Sequence, residues 1–95
     1  MAKHKFRITV ESVADSHGNP VNAPPLVFMA ENHDDIIALA TRTSASSDQA
    51  LAFLLGLKLF GEAMLDDRDN PLYADIRPAF GTFMKKLKAA RKNAD

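Results

Sequence analysis

The fold is decided by the stretch Ser47–Asp66, with the sequence SDQALAFLLGLKLFGEAMLD. At about 100° per residue, the charged side chains of a helix here fall into one narrow stripe. That stripe consists of Asp48, Lys58, Glu62 and Asp66. Nearly every other position is apolar or small, over about twice the arc that a surface helix buries. The pattern predicts a long apolar helix, central in the fold or shared with another subunit, whose polar stripe faces water.

Small residues gather on one side of this predicted helix, at Ala52, Gly56 and Ala63. Inside a helix, Gly56 and Gly61 each cost about 1 kcal/mol relative to alanine, so a packing role is a plausible reason for them. Small side chains let another backbone approach closely. We therefore predict that Ala52, Gly56 and Ala63 form a helix-packing or dimer face.

The N-terminal part of the chain has the pattern of two strands. Residues 5–13, KFRITVESV, alternate between apolar and polar side chains, which is typical of a strand with one wet face. Leu26–Ala30 is a second strand, apolar on both faces. The connection, Asp15–Ala23, is rich in turn residues, and Pro24-Pro25 delays the second strand because proline cannot donate to a ladder. These features predict a β-hairpin, which as a two-stranded sheet needs a cover.

A shorter helix is predicted between the hairpin and the long helix. Asn32 is its predicted N-cap, and its apolar spacing continues to about Thr43. Ser44–Ser47 is a break. Ser46 and Gln49, three residues apart, have the capping-box pattern at the start of the long helix.

Two further helices are predicted after the long one. Asn70-Pro71 is a cap and first-turn pair that opens a short helix to about Arg77, and Pro78 opens an amphipathic last helix. The predicted fold is therefore α+β in a single domain, residues 1–95. It is an N-terminal two-stranded β-hairpin packed on three to four helices, with a long central apolar helix.

The composition excludes several classes of chemistry. The chain has no cysteine, which rules out disulfides, thiolate metal sites and cysteine nucleophiles. Its formal net charge is zero, but residues 31–75 are acidic and residues 76–95 are basic. This asymmetry suits contacts within one fold or between two copies. No apolar run is long enough to cross a bilayer and no leader-like apolar segment follows the charged N-terminus, so we expect a cytoplasmic protein.

One segment, Glu31-Asn32-His33-Asp34-Asp35, groups a histidine with carboxylates, as in a metal site or an acid–base pair. The same residues also suit the acidic first turn of a helix, which needs no chemistry. No second histidine lies at a ligand spacing. We therefore predict no catalytic residue, cofactor or metal ligand. The alternative is a small enzyme or metal-binding protein that uses His33 with Asp34 or Asp35.

The last predicted helix carries a cluster of cations near its end: Lys85, Lys86, Lys88, Arg91 and Lys92. These residues are a candidate interaction surface for an acidic protein partner or for nucleic acid phosphates. A helix C-terminus also favours cations through its dipole. No aromatic residues alternate with these cations and the whole chain is not basic, so nucleic acid or nucleotide association is the alternative rather than the expected role.

Five segments form a set that spans most of the chain: FRITV at 6–10, ENHDD at 31–35, GLKLFGE at 56–62, NPL at 70–72 and FMKKLK at 83–88. Together they resemble a family of small, uncharacterised bacterial proteins with no assigned function. The resemblance implies a bacterial cytoplasmic origin, and it supplies no substrate and no catalytic residue. The loop Asp15–Ala23 lies outside the matching segments.

The sequence combines a large apolar surface with no recognisable catalytic or metal-binding cluster of residues. We expect a small cytoplasmic homodimer that acts as a binding or interaction module without catalytic activity. A protein partner is a further expectation, and a membrane role is not. The second strand and the long helix have more apolar surface than one small copy can cover.

Overall fold

A computed structural model describes the backbone of residues 2–94 and the side chains as far as residue 90. The elements, in chain order, are strands β1 (His4–Val10) and β2 (Leu26–Asn32), helices α1 (Ile36–Arg42) and α2 (Asp48–Asp66), a 3₁₀ turn (Pro71–Tyr73) and helix α3 (Ile76–Ala94). The predicted α+β fold, a hairpin followed by helices, is confirmed. The chain forms two compact units, one that ends at Glu62 and one that begins at Ala63.

The two strands form an antiparallel hairpin in the first unit. His4 lies opposite Asn32 at one end of the ladder, and Val10 lies opposite Leu26 at the other. The first strand was expected to reach residue 13, but it ends at Val10 because the residue before Leu26 is Pro25, which has no N–H to donate. One face of the sheet is apolar, and it consists of Phe6, Ile8, Val10, Leu26, Phe28 and Ala30.

The connection between the strands folds into a tight turn. The Asp15 carboxylate accepts hydrogen bonds from the backbone N–H groups of His17 and Asn19, both at 2.9 Å. These N–H groups, Asn19 first, hold the pKa of Asp15 below its usual range. Gly18 has φ +84°, a left-handed conformation that suits glycine. A short bridge pairs Ala14 with Pro20, so this segment is a second, smaller hairpin at the tip.

Helix α1 begins later than the sequence pattern indicates. Asn32, the predicted N-cap, is the last residue of β2 instead. The N-cap is Asp35, whose side chain accepts a hydrogen bond from the N–H of Ala38. The prediction was wrong because Asn32 uses its amide in longer-range contacts, described below, and leaves the capping role to the next suitable side chain.

Helix α2 has the predicted bounds, but its cap is shifted by one residue. The Ser47 hydroxyl accepts a hydrogen bond from the N–H of Ala50 at 3.1 Å, so Ser47 rather than Ser46 is the cap. The central position that we predicted for this helix is not confirmed. Several of its large apolar side chains remain exposed, namely Leu51, Phe53, Phe60 and Leu65.

The polar stripe of α2 does not face water as a whole, contrary to the prediction. Glu62 is buried, with 6% of its surface exposed, and the Lys58 side chain is mostly covered. The residues exposed on α2 include the predicted packing face, Ala52, Gly56 and Ala63. The first unit therefore covers Lys58 and Glu62 of the charged stripe, because polar groups at the end of the hairpin lie against them.

Gly56 provides a direct test of this orientation, because a Cβ built at this position has no atom within 4 Å apart from its chain neighbours and the backbone of its own helix. We expect Gly56→Ala to raise the free energy of unfolding by about 0.5–1 kcal/mol, since alanine has the higher helix propensity and meets no obstacle. Urea denaturation followed by circular dichroism measures the change. A lower stability, or a loss of dimer mass with Gly56→Leu, would instead show that another chain packs against this face.

The second unit begins with the last turn of α2 and contains α3. Asn70 caps the 3₁₀ turn as predicted, since its side chain accepts a hydrogen bond from the N–H of Leu72. This segment is only one turn long rather than a helix to Arg77. Helix α3 begins at Ile76, so Pro78 lies within its first turn, where a missing N–H costs nothing.

Four apolar side chains are buried in the described residues: Ile36, Leu39, Leu54 and Met64. Three of them belong to the first unit, where α1 supplies Ile36 and Leu39 and α2 supplies Leu54. This is a small core for the number of apolar residues in the chain. Much apolar surface therefore remains in contact with solvent.

Candidate functional site

The most distinctive side-chain cluster of the first unit is centred on Glu62. One carboxylate oxygen, Oε1, accepts a hydrogen bond from the backbone N–H of His33 at 2.9 Å and lies 3.0 Å from the ring Nδ1 of the same residue. The other oxygen, Oε2, lies 3.1 Å from the Lys3 ammonium and 2.9 Å from His33 Nδ1. These Oε2 contacts are ion-pair approaches without hydrogen-bond geometry. Glu62 thus ties the N-terminal segment and the end of β2 to helix α2.

Asn32 is the second buried polar residue of this cluster, with 3% of its surface exposed. Its Nδ2 donates a hydrogen bond to the backbone carbonyl of Lys58, and its Oδ1 accepts one from the N–H of Asp34, both at 2.9 Å. The side chain therefore uses both ends of its amide. Because a buried amide without partners is costly, this pairing fixes the exit of β2 against α2.

A third contact closes the cluster at its exposed edge. The Lys58 ammonium donates a hydrogen bond of 2.6 Å to the carboxylate of Asp34. This hydrogen bond is the main reason that the pKa of Asp34 lies below its usual value. We call the five residues of these contacts together with Lys3 the β2–α2 clamp: Lys3, Asn32, His33, Asp34, Lys58 and Glu62.

The charge of Glu62 is stabilised in the folded chain. Burial alone would raise the pKa of this carboxyl group, because a buried carboxylate loses its water. The backbone N–H of His33, its ring and the Lys3 ammonium act in the opposite direction and together bring the pKa below its usual value. Glu62 is therefore an ionised structural group rather than a proton donor at neutral pH.

The lowered pKa values of Glu62 and Asp34 predict that acid destabilises the first unit. A carboxyl group with a lower pKa in the folded state contributes stability above its unfolded pKa, about 4.3 for glutamate, and loses it as the pH falls through the folded value. We expect the urea concentration at the midpoint of unfolding to decrease as the pH drops below about 4.5. In Glu62→Gln this decrease should be less steep. Equal slopes for the two proteins would contradict this assignment.

The clamp divides the candidate metal or acid–base residues of the sequence among different partners. His33 contacts Glu62, Asp34 contacts Lys58, and Asp35 caps α1, so the trio considered from the sequence is not brought together. The side chain of His33 is 64% exposed. Within the described residues, no group of three or more histidine or acidic side chains is placed to hold a metal ion. What the geometry does is position β2 on α2.

Helices α1 and α2 and the segment between them line an open groove in the first unit. Its volume is about 540 Å³ and its walls are mostly apolar. Ile36, Leu51 and Leu54 supply part of the lining, and Thr41 and Ser44 add hydroxyl groups. Ser44 has φ 58°, which is uncommon for a residue with a side chain. The groove has the size of a small-ligand pocket but is open to solvent.

The second strand has the largest uncovered apolar surface of the hairpin. Leu26, Val27, Phe28 and Met29 are exposed by 63%, 50%, 40% and 54%, respectively. These four residues alternate between the two faces of the sheet, so neither face of β2 is covered at this end. The sequence prediction of a strand that is apolar on both faces agrees with this placement.

The predicted interaction residues of the C-terminal helix lie on α3. Lys85, Lys86 and Lys88 are exposed. Arg91 and Lys92 lie outside the residues whose side chains the structure describes. Contact between these exposed cations and an acidic surface stays a prediction.

Sequence reasoning missed the clamp as a unit. The sequence pattern places Glu62 in a solvent-facing stripe and Asn32 at a helix cap. One signal in the sequence could have indicated the clamp. Two charged residues, Lys58 and Glu62, interrupt an otherwise apolar helix, and the preceding strand ends in an asparagine. Such charges are compatible with burial only when they are paired.

None of the described helices is both long and apolar enough to cross a membrane. Among curated proteins, none matches the chain. The chain is similar to a protein of unknown function from Pectobacterium atrosepticum, whose crystal structure shares 34% sequence identity, with a TM-score of 0.75 over 92% of this chain and 98% of that one. A family model described as a domain of unknown function with a solved structure, DUF3861, matches residues 4–89. The resemblance to uncharacterised bacterial proteins is thereby confirmed, and the chain belongs to the DUF3861 family.

Proposed function

We propose that this chain is a small cytoplasmic binding module without catalytic activity, and that it acts as a homodimer in which a second copy covers strand β2. The observation that carries the proposal is the exposure of four consecutive apolar residues, Leu26 to Met29, in a two-stranded sheet. Full burial of one such side chain contributes about 1.5–3 kcal/mol. Covering this strand therefore supplies a substantial driving force for association.

The size of the sheet supports the same proposal. An isolated two-stranded hairpin is marginally stable in water, and a third strand or a packed helix is needed for independent stability. In the described part of the first unit, the sheet has only β1 and β2, and their apolar face is still exposed at Val10, Leu26 and Phe28. A second copy is a partner that is always present at the same concentration and carries the same surface.

The absence of catalytic activity is proposed because the reactive residue types have structural partners. The Glu62 carboxylate pairs with Lys3, and the Asp34 carboxylate pairs with Lys58. The Asp35 side chain caps α1. The residues that line the apolar groove between α1 and α2 include none of β2, so a dimer through β2 need not fill it and leaves it to a protein partner.

Light scattering coupled to size-exclusion chromatography tests the homodimer. We expect a mass of twice 10.4 kDa at tens of micromolar. Met29→Lys is expected to produce the monomer, because it places a charge on the exposed strand. The matched control is Leu72→Lys, which alters an exposed apolar residue of the second unit and is expected to leave the dimer intact. A monomer at every concentration would overturn the proposal.

Nucleic acid association is the second candidate, favoured by the exposure of Lys85, Lys86 and Lys88 on one helix. The chain has one tyrosine and no tryptophan, so any co-purifying nucleic acid would dominate absorbance near 260 nm. Salt-dependent binding of labelled DNA or RNA that is lost in a Lys85→Glu, Lys86→Glu, Lys88→Glu variant would support this candidate. A clean spectrum without such binding would remove it.

A further inference from the structure

We propose that two copies associate through the outer edge of β2, antiparallel and centred on Phe28, to form one four-stranded sheet. This inference rests on the proposed homodimer and specifies its interface. The outer edge of β2 has backbone N–H and C=O groups that β1 does not pair, since the described sheet contains only these two strands. Unpaired edge groups of this kind are a template for strand addition.

The two edges of the sheet differ in how well they are protected. Charged side chains, lysine above all, discourage pairing at an edge. Strand β1 carries Lys5 and Arg7, whereas Leu26–Ala30 of β2 carries no charge at all. Within the described part of the first unit, the extensive contacts of β2 are with β1, and the side chains of Leu26–Met29 are exposed. The edge of β2 is therefore the one that admits a second copy.

A symmetric pairing about Phe28 brings compatible residues together. Under a two-fold axis at this residue, Val27 lies opposite Met29 of the other copy, and Leu26 lies opposite Ala30. All these pairs are apolar, and aliphatic or aromatic cross-strand pairs stabilise a sheet. The same operation about Arg7, the centre of β1, would place two arginines directly opposite each other, which is destabilising.

The ends of β2 limit the pairing to this short segment. Pro25 precedes the strand and has no N–H to donate, so the ladder cannot extend beyond Leu26. At the other end, Glu31 lies near Lys5 of the same chain, at 3.9 Å, and its charge has a partner. The new ladder thus covers the uncharged residues and leaves the charged ones at its rim.

Single-cysteine variants test the interface, because the native chain has no cysteine that could interfere. Residues directly opposite across an antiparallel pair have Cα atoms about 4.5–5.5 Å apart, within the range of a disulfide. We expect Phe28→Cys to form a disulfide-linked dimer for most of the protein under mild oxidation. The matched control is Ile8→Cys, the neighbour of Phe28 on β1, whose two copies would lie about 14 Å apart across four strands. It should give only traces of linked dimer.

A second pair of variants tests the register and covers the case in which Phe28→Cys does not fold. Val27→Cys and Met29→Cys lie opposite each other only between copies. Each variant alone should cross-link weakly, because identical residues are then offset along the strands, and a mixture of the two should cross-link strongly. Equal linkage in all three samples would overturn the Phe28-centred register.

The outcomes separate this inference from the homodimer itself. Linkage through Ile8→Cys without linkage through Phe28→Cys would place the interface on β1 and overturn the inference. A dimer by light scattering in which neither variant cross-links would also overturn it, while the homodimer stands. A monomeric native protein would remove the homodimer and this interface together.

Discussion

We expect Glu62→Gln to lower the free energy of unfolding by about 1.5–3 kcal/mol, the range for hydrogen bonds to a charged group. The substitution keeps the shape of the side chain and removes its charge. In the native chain this buried carboxylate faces the Lys3 ammonium and both the backbone and the ring of His33. A glutamine amide places its own N–H₂ group against one of these donors, so a buried polar group loses its partner.

The measurement is the urea midpoint at pH 7, where Glu62 is ionised in the native protein. The matched control is Glu31→Gln, since Glu31 is exposed and its contact with Lys5 is long, at 3.9 Å. An exposed ion pair contributes about 0–1 kcal/mol, so this control should change little. If both variants lose the same stability, the burial of Glu62 has no energetic consequence and the clamp is not a stabilising unit.

The second large effect is expected at Asn32. We expect Asn32→Ala to cost about 2–4 kcal/mol, because it leaves a cavity and removes both hydrogen bonds of a buried amide. The N–H of Asp34 loses its acceptor, and the backbone carbonyl of Lys58 loses its tertiary donor. Thermal unfolding followed by circular dichroism measures the loss.

Asn22→Ala is the control for Asn32, because Asn22 is exposed in the connection between the strands. We expect its effect to lie within about 0.5 kcal/mol of the native protein. Asn32→Asp separates the two hydrogen bonds, since it keeps the acceptor for Asp34 and replaces the donor to Lys58. A melting curve of Asn32→Ala that coincides with the Asn22→Ala curve would contradict the assigned role.

The local pattern of the sequence predicted the elements well and their orientation poorly. The alternation of residues 5–10 and the apolar run at 26–30 identified the hairpin, and the bounds of α2 followed from its helical spacing. Periodicity shows which residues share a face, but not whether that face lies against solvent. Glu62 was therefore assigned to the wrong environment.

Details at the ends of elements were lost for a related physical reason. Asn32, Ser46 and Pro78 are each suitable for a helix start, and the sequence offers several suitable residues within a few positions. Which one is used depends on contacts with distant residues, such as the bond from Asn32 to Lys58. A second copy that covers β2 would lie outside a single chain, so the homodimer stays a prediction.

The clamp also has a consequence for the order in which the chain folds. Lys3 and Glu62 come from opposite ends of the first unit, and His33 lies between them. Closing contacts of such long sequence separation is slow, because the entropy of the intervening chain must first be lost. During synthesis, the hairpin is complete well before Glu62 emerges. Until then the contacts of Glu62 cannot hold the end of β2, so the hairpin has only its own ladder to keep it folded.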